Sequence, residues 1–321
     1  MNAPRKLRKF AAVGLLTGVA GLLASQAARA DDTLLGPLAY SDTALILGGT
    51  TEPTPSTEFA QAVENLYLHP LGFDGGAMSS TVCDMIATDP CSAPLQVLTT
   101  PELIQQGPSS LTAADDVVLA VEHELQVGAF DADHPLTIFG YSQSATAESI
   151  AMAQLQADGI PTEDLHFVFI GDPSLAETGV WPNLVADLEP LFGTSFTHTL
   201  LTAFGFDGVL GNVTPDDIYP TTIYTLDGDG VADFQNVWDQ NGILGPLYGL
   251  FVPHVEYLGM TPEEIAAGVT TFDHMITNID IPDTFNDAAA WLSAVFEHGA
   301  ADSGLLESVF NSLELYLTNS F

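Results

Sequence analysis

Basic side chains are absent from almost the whole of this 321-residue sequence. The five Lys and Arg residues lie within the first 29 positions, whereas all 42 Asp and Glu residues lie after residue 30. Beyond residue 30, histidine is therefore the only cationic side chain. Nucleic acids and anionic membrane surfaces are bound largely through Lys and Arg, so the composition excludes both as partners.

Long apolar runs are also missing. A membrane-spanning helix needs about 20 predominantly apolar residues, and the most apolar segment, residues 10–23, is shorter. It follows a basic segment and precedes a small-x-small sequence that ends at Ala30. This pattern predicts a signal peptide over residues 1–30, removed near Ala30. We therefore expect a protein that is secreted or located in the cell envelope and has no transmembrane anchor.

Cysteine is scarce as well. The two cysteines, Cys83 and Cys91, lie in one loop-like stretch rich in Gly, Ser, Asp and Pro. Two thiols are too few for a structural zinc site, and no histidine is spaced to complete one. In an exported protein, a closely spaced pair indicates a disulfide that closes this loop.

Apolar strand-like segments alternate with helix-like segments along the chain. The predicted strands are residues 43–47, 95–98, 135–139, 165–170 and 222–226, and the predicted helices are residues 56–68, 113–125 and 144–156. This alternation predicts an α/β fold with a doubly wound, mainly parallel sheet.

Two regions interrupt or follow this alternation. Residues 175–219 are apolar but broken by Gly and Pro, which predicts a cap or lid over the carboxyl edge of the sheet. Residues 260–321 are predicted to form a helical C-terminal extension packed on the main domain, residues 31–259. Amphipathic segments at residues 288–296 and 305–317 support that prediction.

The strongest motif is at residues 140–144, which read Gly-Tyr-Ser-Gln-Ser between a predicted buried strand and a predicted helix. A nucleophile elbow has this strand–turn–helix context, small flanking residues and a central serine. The helix that follows the serine stabilises negative charge at its N-terminus. Ser142 is therefore the predicted nucleophile of an α/β-hydrolase.

The acid and the base of such a site follow the serine in the order Asp, then His. The loop after strand 222–226 contains three aspartates. Their spacing from the end of the strand and from the glycines of the loop favours Asp233 as the acid, with Asp229 as the second choice. Three histidines follow. His254 is preferred because it lies in a loop, whereas His274 and His298 are predicted to lie on helices.

The tetrahedral intermediate of acyl transfer needs N–H donors directed at its oxyanion. The backbone N–H of Gln143, the residue after the nucleophile, is the first candidate. The second donor is expected from the loop after the first strand, at Gly49 or Thr50, because glycine there lets the backbone approach the substrate.

Several motifs together resemble the PE-PPE domain family of mycobacteria and related bacteria, over roughly residues 43–257. These motifs are residues 48–50, 100–102, 140–145, 170–173, 229–234 and the pair His254 and Tyr257. The resemblance implies a cutinase-like α/β-hydrolase fold. It also implies either a serine esterase acting on acyl or lipid esters or an acyltransferase that builds trehalose glycolipids of the cell envelope. The family's serine, acid and histidine correspond to Ser142, Asp233 or Asp229, and His254.

A rival interpretation belongs to another class of protein. Asp227, Asp229 and Asp233 have spacings that suit a calcium loop, which would make the chain a non-catalytic calcium-binding envelope protein. However, Val231 and Trp238 occupy positions where an EF-hand needs acidic ligands. The favoured interpretation is an esterase without a cofactor that has a lipid or acyl-ester substrate, and calcium bound in this loop beside the catalytic residues is an open alternative. Peripheral association with the cell envelope is a further hypothesis.

We expect the melting temperature of the secreted chain to rise between low salt and about 0.5 M NaCl. Its 42 carboxylates repel one another more strongly in the folded state than in the expanded state, and salt screens this repulsion over about 10 Å at 0.1 M. Thermal unfolding across a NaCl series measures the effect. A melting temperature that does not change with salt would contradict it.

Overall fold

The computed structural model describes residues 36–75, 81–86 and 92–283. The predicted signal peptide, Cys91, His298 and the predicted helices beyond residue 284 lie outside these ranges, so the signal peptide and the Cys83–Cys91 disulfide stay predictions. The described strands are β1 Ala44–Ile46, β2 Val82–Met85, β3 Leu95–Leu98, β4 Leu136–Tyr141, β5 Leu165–Ile170, β6 Thr221–Leu226, β7 Val269–Asp273 and β8 Ile276–Ile281.

These strands form one sheet in the order β2-β3-β1-β4-β5-β6-β8-β7. Every neighbouring pair is parallel except β7 and β8, which are antiparallel. The central strands β4 and β5 are buried along their whole length, as expected for parallel strands covered on both faces. The predicted doubly wound, mainly parallel α/β sheet is confirmed.

Helices cover both faces of this sheet. The α-helices of the described residues are α1 Thr57–Val63, α2 Gln106–Val127, α3 Gln143–Ala157, α4 Val180–Phe192, α5 Thr194–Ala203, α6 Phe234–Asn241, α7 Leu244–Phe251 and α8 Pro262–Ala266. Helices α2 and α3 pack against one face of the sheet, and α1 packs against the other. None of the helices in the described part of the chain has the length and hydropathy needed to cross a bilayer.

Local sequence signals explain where several elements begin. The Oγ of Ser56 accepts a hydrogen bond from the N–H of Phe59 and so caps α1, as the sequence predicts. Helix α2 begins at Gln106 rather than near residue 113, so Thr112, which precedes the predicted helix and could cap it, lies inside the observed helix. Cys83 lies in β2, an edge strand, rather than in a loop.

Residues 260–283, the described part of the predicted helical extension, form a short helix and two strands instead. After the short helix α8, the chain forms the hairpin β7–β8, and β8 pairs in parallel with β6. The side chains of β7 are all exposed, so this strand lacks the apolar alternation that identifies strands in a sequence. His274 consequently lies in the hairpin turn, where its Nδ1 is 2.6 Å from Asp216 Oδ2.

Two helices, α4 and α5, lie between β5 and β6 in the region where the sequence predicts a cap. The indole N–H of Trp181 in α4 donates to Thr146 Oγ1 on α3 over 3.0 Å. Thr214, just before β6, donates to the buried Asp172 carboxylate that follows β5. These contacts fasten the cap to the helix that follows Ser142.

Two glutamic acids are almost completely buried: Glu102, between β3 and α2, and Glu148, on α3. Burial raises the pKa of Glu102 to about 8, although a hydrogen bond from Thr100 acts in the opposite direction. Burial raises the pKa of Glu148 well above its usual range, and the nearby charges of Glu102 and Asp172 raise it further. Neither carboxyl oxygen of Glu148 has a hydrogen-bond partner among the described residues. Both carboxyl groups therefore hold a proton to higher pH in the folded protein than in the unfolded chain.

This burial predicts a loss of stability with rising pH. A carboxyl whose pKa is raised by folding contributes fully below its usual value of 4.5 and loses that contribution as the pH rises towards about 8. The midpoint of urea unfolding should fall over that interval at constant salt, and it should fall less in Glu102→Gln. The exposed Glu58→Gln removes the same charge and should keep the wild-type slope. Equal slopes in all three proteins would contradict the prediction.

Candidate active site

Ser142 lies in the turn between β4 and α3 with φ 58° and ψ −112°, in the positive-φ region that residues other than glycine rarely occupy. Gly140 permits this turn, because a Cβ there would lie 2.8 Å from the backbone nitrogen of Ala145. The Oγ of Ser144 accepts a hydrogen bond from the N–H of Tyr141 over 2.8 Å. The serine that replaces the usual second glycine thus braces the elbow.

His254 lies directly beside the serine. It belongs to the short 3-10 turn Pro253–Val255 that follows α7, and its ring is almost completely buried. The Nε2 atom of His254 is 2.7 Å from Ser142 Oγ, and its Nδ1 atom is 2.9 Å from both carboxylate oxygens of Asp229. An ionised Asp229 accepts from Nδ1–H, so Nε2 is left to accept the serine proton.

The carboxylate of Asp229 is fully buried and receives several other donors. The Tyr257 hydroxyl donates to Oδ2 over 2.7 Å. The N–H groups of Val231 and Ala232 donate to Oδ1 over 2.7 and 3.2 Å. Hydrogen bonds to the charged form stabilise a buried carboxylate. Asp229 is therefore held in one orientation and supplied with donors for its negative charge.

The contact with His254 is made by Asp229 and not by Asp233, so the first choice of acid is corrected in favour of the second. Asp233 Oδ2 accepts from the N–H of Gly228, and Oδ1 accepts from Asn236. Asp233 also occupies the cap position of α6. Its carboxylate therefore holds the turn at Gly228 and the side chain of Asn236, without a capping hydrogen bond to the backbone of α6.

The calcium-loop hypothesis is not supported by the geometry either. Asp229 directs both oxygens at His254, and the carboxylates of Asp227, Asp229 and Asp233 do not converge on one point. Within the described ranges, only Asp216, Asp273 and His274 bring three potential ligand atoms together, and they lie at the surface, by the hairpin turn.

The predicted oxyanion donors lie at the elbow. Gln143 is the first residue of α3, so its N–H is one of the first-turn amides that have no partner within the helix. Gly49 packs against Tyr141, since a Cβ on Gly49 would lie 3.2 Å from that ring. The hydroxyl of Thr50 donates to Gln143 Oε1 over 2.9 Å. The loop after β1 is thereby fixed beside the N-terminus of α3.

Gln106 completes this network and was not identified from the sequence. Its Nε2 donates to Thr50 Oγ1 over 2.9 Å and to Gln143 Oε1 over 3.2 Å. No local pattern distinguishes Gln106 from its neighbour Gln105. Its position at the start of α2 brings it to the site only through the fold.

Close packing determines where the ring of His254 lies. The Tyr141 hydroxyl donates to the backbone carbonyl of His254 over 2.6 Å. Gly171, with φ 59°, lies under the ring: a Cβ there would be 3.0 Å from His254 Cε1 and 3.0 Å from Tyr257 Cε2. Any larger residue at position 171 would displace the histidine or the tyrosine that donates to Asp229.

Ser142 opens into a cavity of about 380 Å³. Apart from Ser142, Thr50 and Gln106, its walls are almost entirely apolar. The apolar walls come from the cap, from α6 and α7 and from the start of α2, and they include Ile104, Trp181, Leu184, Leu188, Phe206, Val231, Phe234, Trp238, Ile243, Leu247 and Phe251. A cavity of this lining suits a hydrocarbon chain attached to a group that reacts at Ser142.

The chain is an α/β-hydrolase by its fold and its site. Its sheet has the expected strand order, its serine lies on a strained strand–helix turn, and the histidine and the aspartate come from later loops. Residues 89–278, more than half of the chain, match the family model of the PE-PPE domain. The chain belongs to the PE-PPE domain family.

Two relatives come from Mycobacterium tuberculosis. The PPE family protein PPE28 is 30% identical over 266 residues, which cover 81% of this chain and 34% of that protein. Esterase PE16 is 31% identical over 255 residues, which cover 75% of this chain and 40% of that protein. The chain thus spans between a third and two fifths of these relatives. A cutinase-like protein from Cryptococcus sp. has 17% identity and a TM-score of 0.34, with 70% of this chain and 98% of that chain covered.

Asp229→Asn should reduce kcat for ester hydrolysis by roughly 10⁴-fold, because an amide cannot hold the His254 tautomer and stabilise its protonated ring. Asp233→Asn, the same change in the same loop, is the matched control and should keep kcat near that of the wild type. Steady-state kinetics on a nitrophenyl ester separate the two. A severe loss in Asp233→Asn with a normal Asp229→Asn would overturn the geometric assignment.

Proposed function

We propose that this chain is a carboxylic ester hydrolase that works through an acyl-enzyme on Ser142. The observation that carries the proposal is the continuous hydrogen-bonded series from Asp229 through His254 to Ser142, together with the apolar cavity that Ser142 lines. The name of the relative Esterase PE16 supports the same class of reaction.

In the first half of the reaction, Ser142 Oγ attacks the acyl carbonyl of the ester while its proton passes to His254 Nε2. Asp229 stabilises the imidazolium that forms. The oxyanion of the tetrahedral intermediate is stabilised by the N-terminus of α3, with the N–H of Gln143 as one donor and the Gly49–Thr50 segment as the source of the second. His254 then gives the proton to the leaving alcohol, and the acyl group remains on Ser142.

In the second half, water attacks the acyl-enzyme and His254 removes its proton. The acid product leaves after Ser142 regains that proton. The acyl chain lies along the apolar walls throughout, where each buried methylene contributes about 0.8 kcal/mol to binding. The same steps with a sugar hydroxyl in place of water would give acyl transfer, so the acceptor distinguishes an esterase from an acyltransferase.

We also propose that this reaction takes place outside the cytoplasm. The support is the basic segment, the apolar run and the small-x-small sequence within residues 1–30. The scarcity of cysteine and the acidic composition are compatible with an exported enzyme. N-terminal sequencing of the secreted protein tests the proposal by locating the cleavage site.

Ser142→Ala should abolish hydrolysis of nitrophenyl esters and labelling by a fluorophosphonate probe while leaving the circular dichroism spectrum unchanged, because the hydroxyl contributes little to packing. Ser195→Ala, on the exposed side of the cap, is the matched control and should label and turn over like the wild type. Turnover by Ser142→Ala at the wild-type rate would refute the proposal. Turnover of nitrophenyl esters of increasing acyl-chain length, measured with and without trehalose, identifies the acceptor, since transfer produces acylated sugar in place of free acid.

A further inference from the structure

Six exposed apolar side chains surround the mouth of the cavity and are called the rim here. They are Ile104, Phe192, Phe196, Phe204, Ile243 and Leu247, and each is at least 38% exposed. Scattered apolar residues are common on protein surfaces, but a group around a binding cavity indicates an interaction surface.

The rim is continuous with the cavity wall. Ile104, Ile243 and Leu247 line the cavity and also reach the surface. Phe204 stacks on the wall residue Phe206 with ring centroids 6.0 Å apart.

The other two rim residues extend the cap side of the wall. Phe192 lies one turn beyond the wall residue Leu188 on α4, so both share a helix face. Phe192 also contacts Phe196 on α5, with ring centroids 6.0 Å apart. An apolar molecule that enters the cavity therefore meets apolar surface before it meets Ser142.

Negative charge is missing from the same segments. Between residues 31 and 321, acidic residues occur on average about once in every seven positions, yet residues 190–206 and 240–255 contain none. These are the two longest acid-free stretches after residue 30, and they hold five of the six rim residues. The sixth, Ile104, lies in the acid-free segment 103–114. The sequence is therefore strongly acidic except in the segments that hold the rim residues. The nearest acid on α4, Glu189, has its carboxylate 3.2 Å from the ring of His198.

We propose that the rim binds the surface of an uncharged lipid aggregate and delivers ester from that surface to Ser142. This inference rests on the proposed function, because it assumes that the cavity takes the acyl chain of an ester. Apolar side chains on segments that contain no carboxylate insert into a lipid surface at little cost in charge desolvation. A zwitterionic or neutral surface fits, whereas an anionic surface is repelled by the rest of the chain.

The binding arm of the test uses the full secreted chain carrying Ser142→Ala, so that no lipid is consumed. It should co-sediment with phosphatidylcholine vesicles at low salt, and adding phosphatidylglycerol to the vesicles should weaken binding. Phe192→Ser combined with Phe196→Ser, neither of which lines the cavity, should lower the partition coefficient by at least about tenfold, since an aromatic side chain contributes a large apolar area to membrane insertion.

The control variant combines Val127→Ser and Phe272→Ser, which replace apolar residues that lie far from the rim and are more exposed than Phe192 and Phe196. Val127 ends the 22-residue helix α2, about 33 Å from the end that lines the cavity. Phe272 lies on the edge strand β7, opposite Thr277 near the start of β8. This variant should bind vesicles like the unmodified chain.

The activity arm restores Ser142. The rim variant should hydrolyse soluble nitrophenyl butyrate with unchanged kcat/KM and emulsified tributyrin about tenfold more slowly than the control variant, in line with its weaker partition. If the chain with Ser142 restored hydrolysed neither ester, the proposed esterase activity would be rejected, whereas the vesicle experiment would still test the lipid-binding proposal. The proposal that the rim binds a lipid surface would be overturned if the chain did not bind phosphatidylcholine vesicles. It would also be overturned if the rim and control variants bound them equally. If the chain formed a dimer that the rim variant lost, and did not bind vesicles, the proposal would also be overturned, because the rim would then bind a second copy of the chain.

Discussion

The hydrogen bond between Asp229 and His254 is the interaction on which the site depends. Beyond residue 30 the chain has no Lys or Arg to neutralise a buried carboxylate. The charge of Asp229 must therefore be stabilised by neutral donors and by one histidine. Tyr257 and the backbone of Val231 and Ala232 supply those donors, and the same tyrosine packs against the glycine beneath the histidine ring. The acid, the base and their support thus form one buried unit, and loss of any member disturbs the others.

The parallel sheet explains how residues far apart in sequence form this unit. Strands β4, β5 and β6 are adjacent and parallel, so the segments that follow them meet at one edge. β4 leads into Ser142, β5 into Gly171 and β6 into Asp229, while His254 enters after α7. The cap also begins after β5, so the wall of the cavity and the support for the histidine come from the same connection.

How much of this arrangement can be predicted from the sequence depends on whether the signal is local. Strands such as 165–170 are predicted correctly because buried parallel strands are continuous apolar runs, and the elbow at Ser142 has a local motif. The choice between Asp229 and Asp233 depends on which side of a tight loop faces His254, and spacing alone carries no such direction. The hairpin β7–β8 was missed because the residues of its edge strand are exposed, so its pairing comes from tertiary contacts rather than from an apolar pattern.

The distribution of charge connects the site to the surface. A chain with 42 acidic residues concentrates negative potential wherever the fold is exposed, and this potential keeps anionic molecules away. An uncharged ester experiences no such repulsion, but it gains nothing from the acidic surface either. The acid-free segments at the cavity expose apolar area on stretches that hold no carboxylate, so an uncharged ester finds favourable contact there. On the proposed function, selection for uncharged, apolar substrates begins at this surface, and it follows from where the acidic residues are missing.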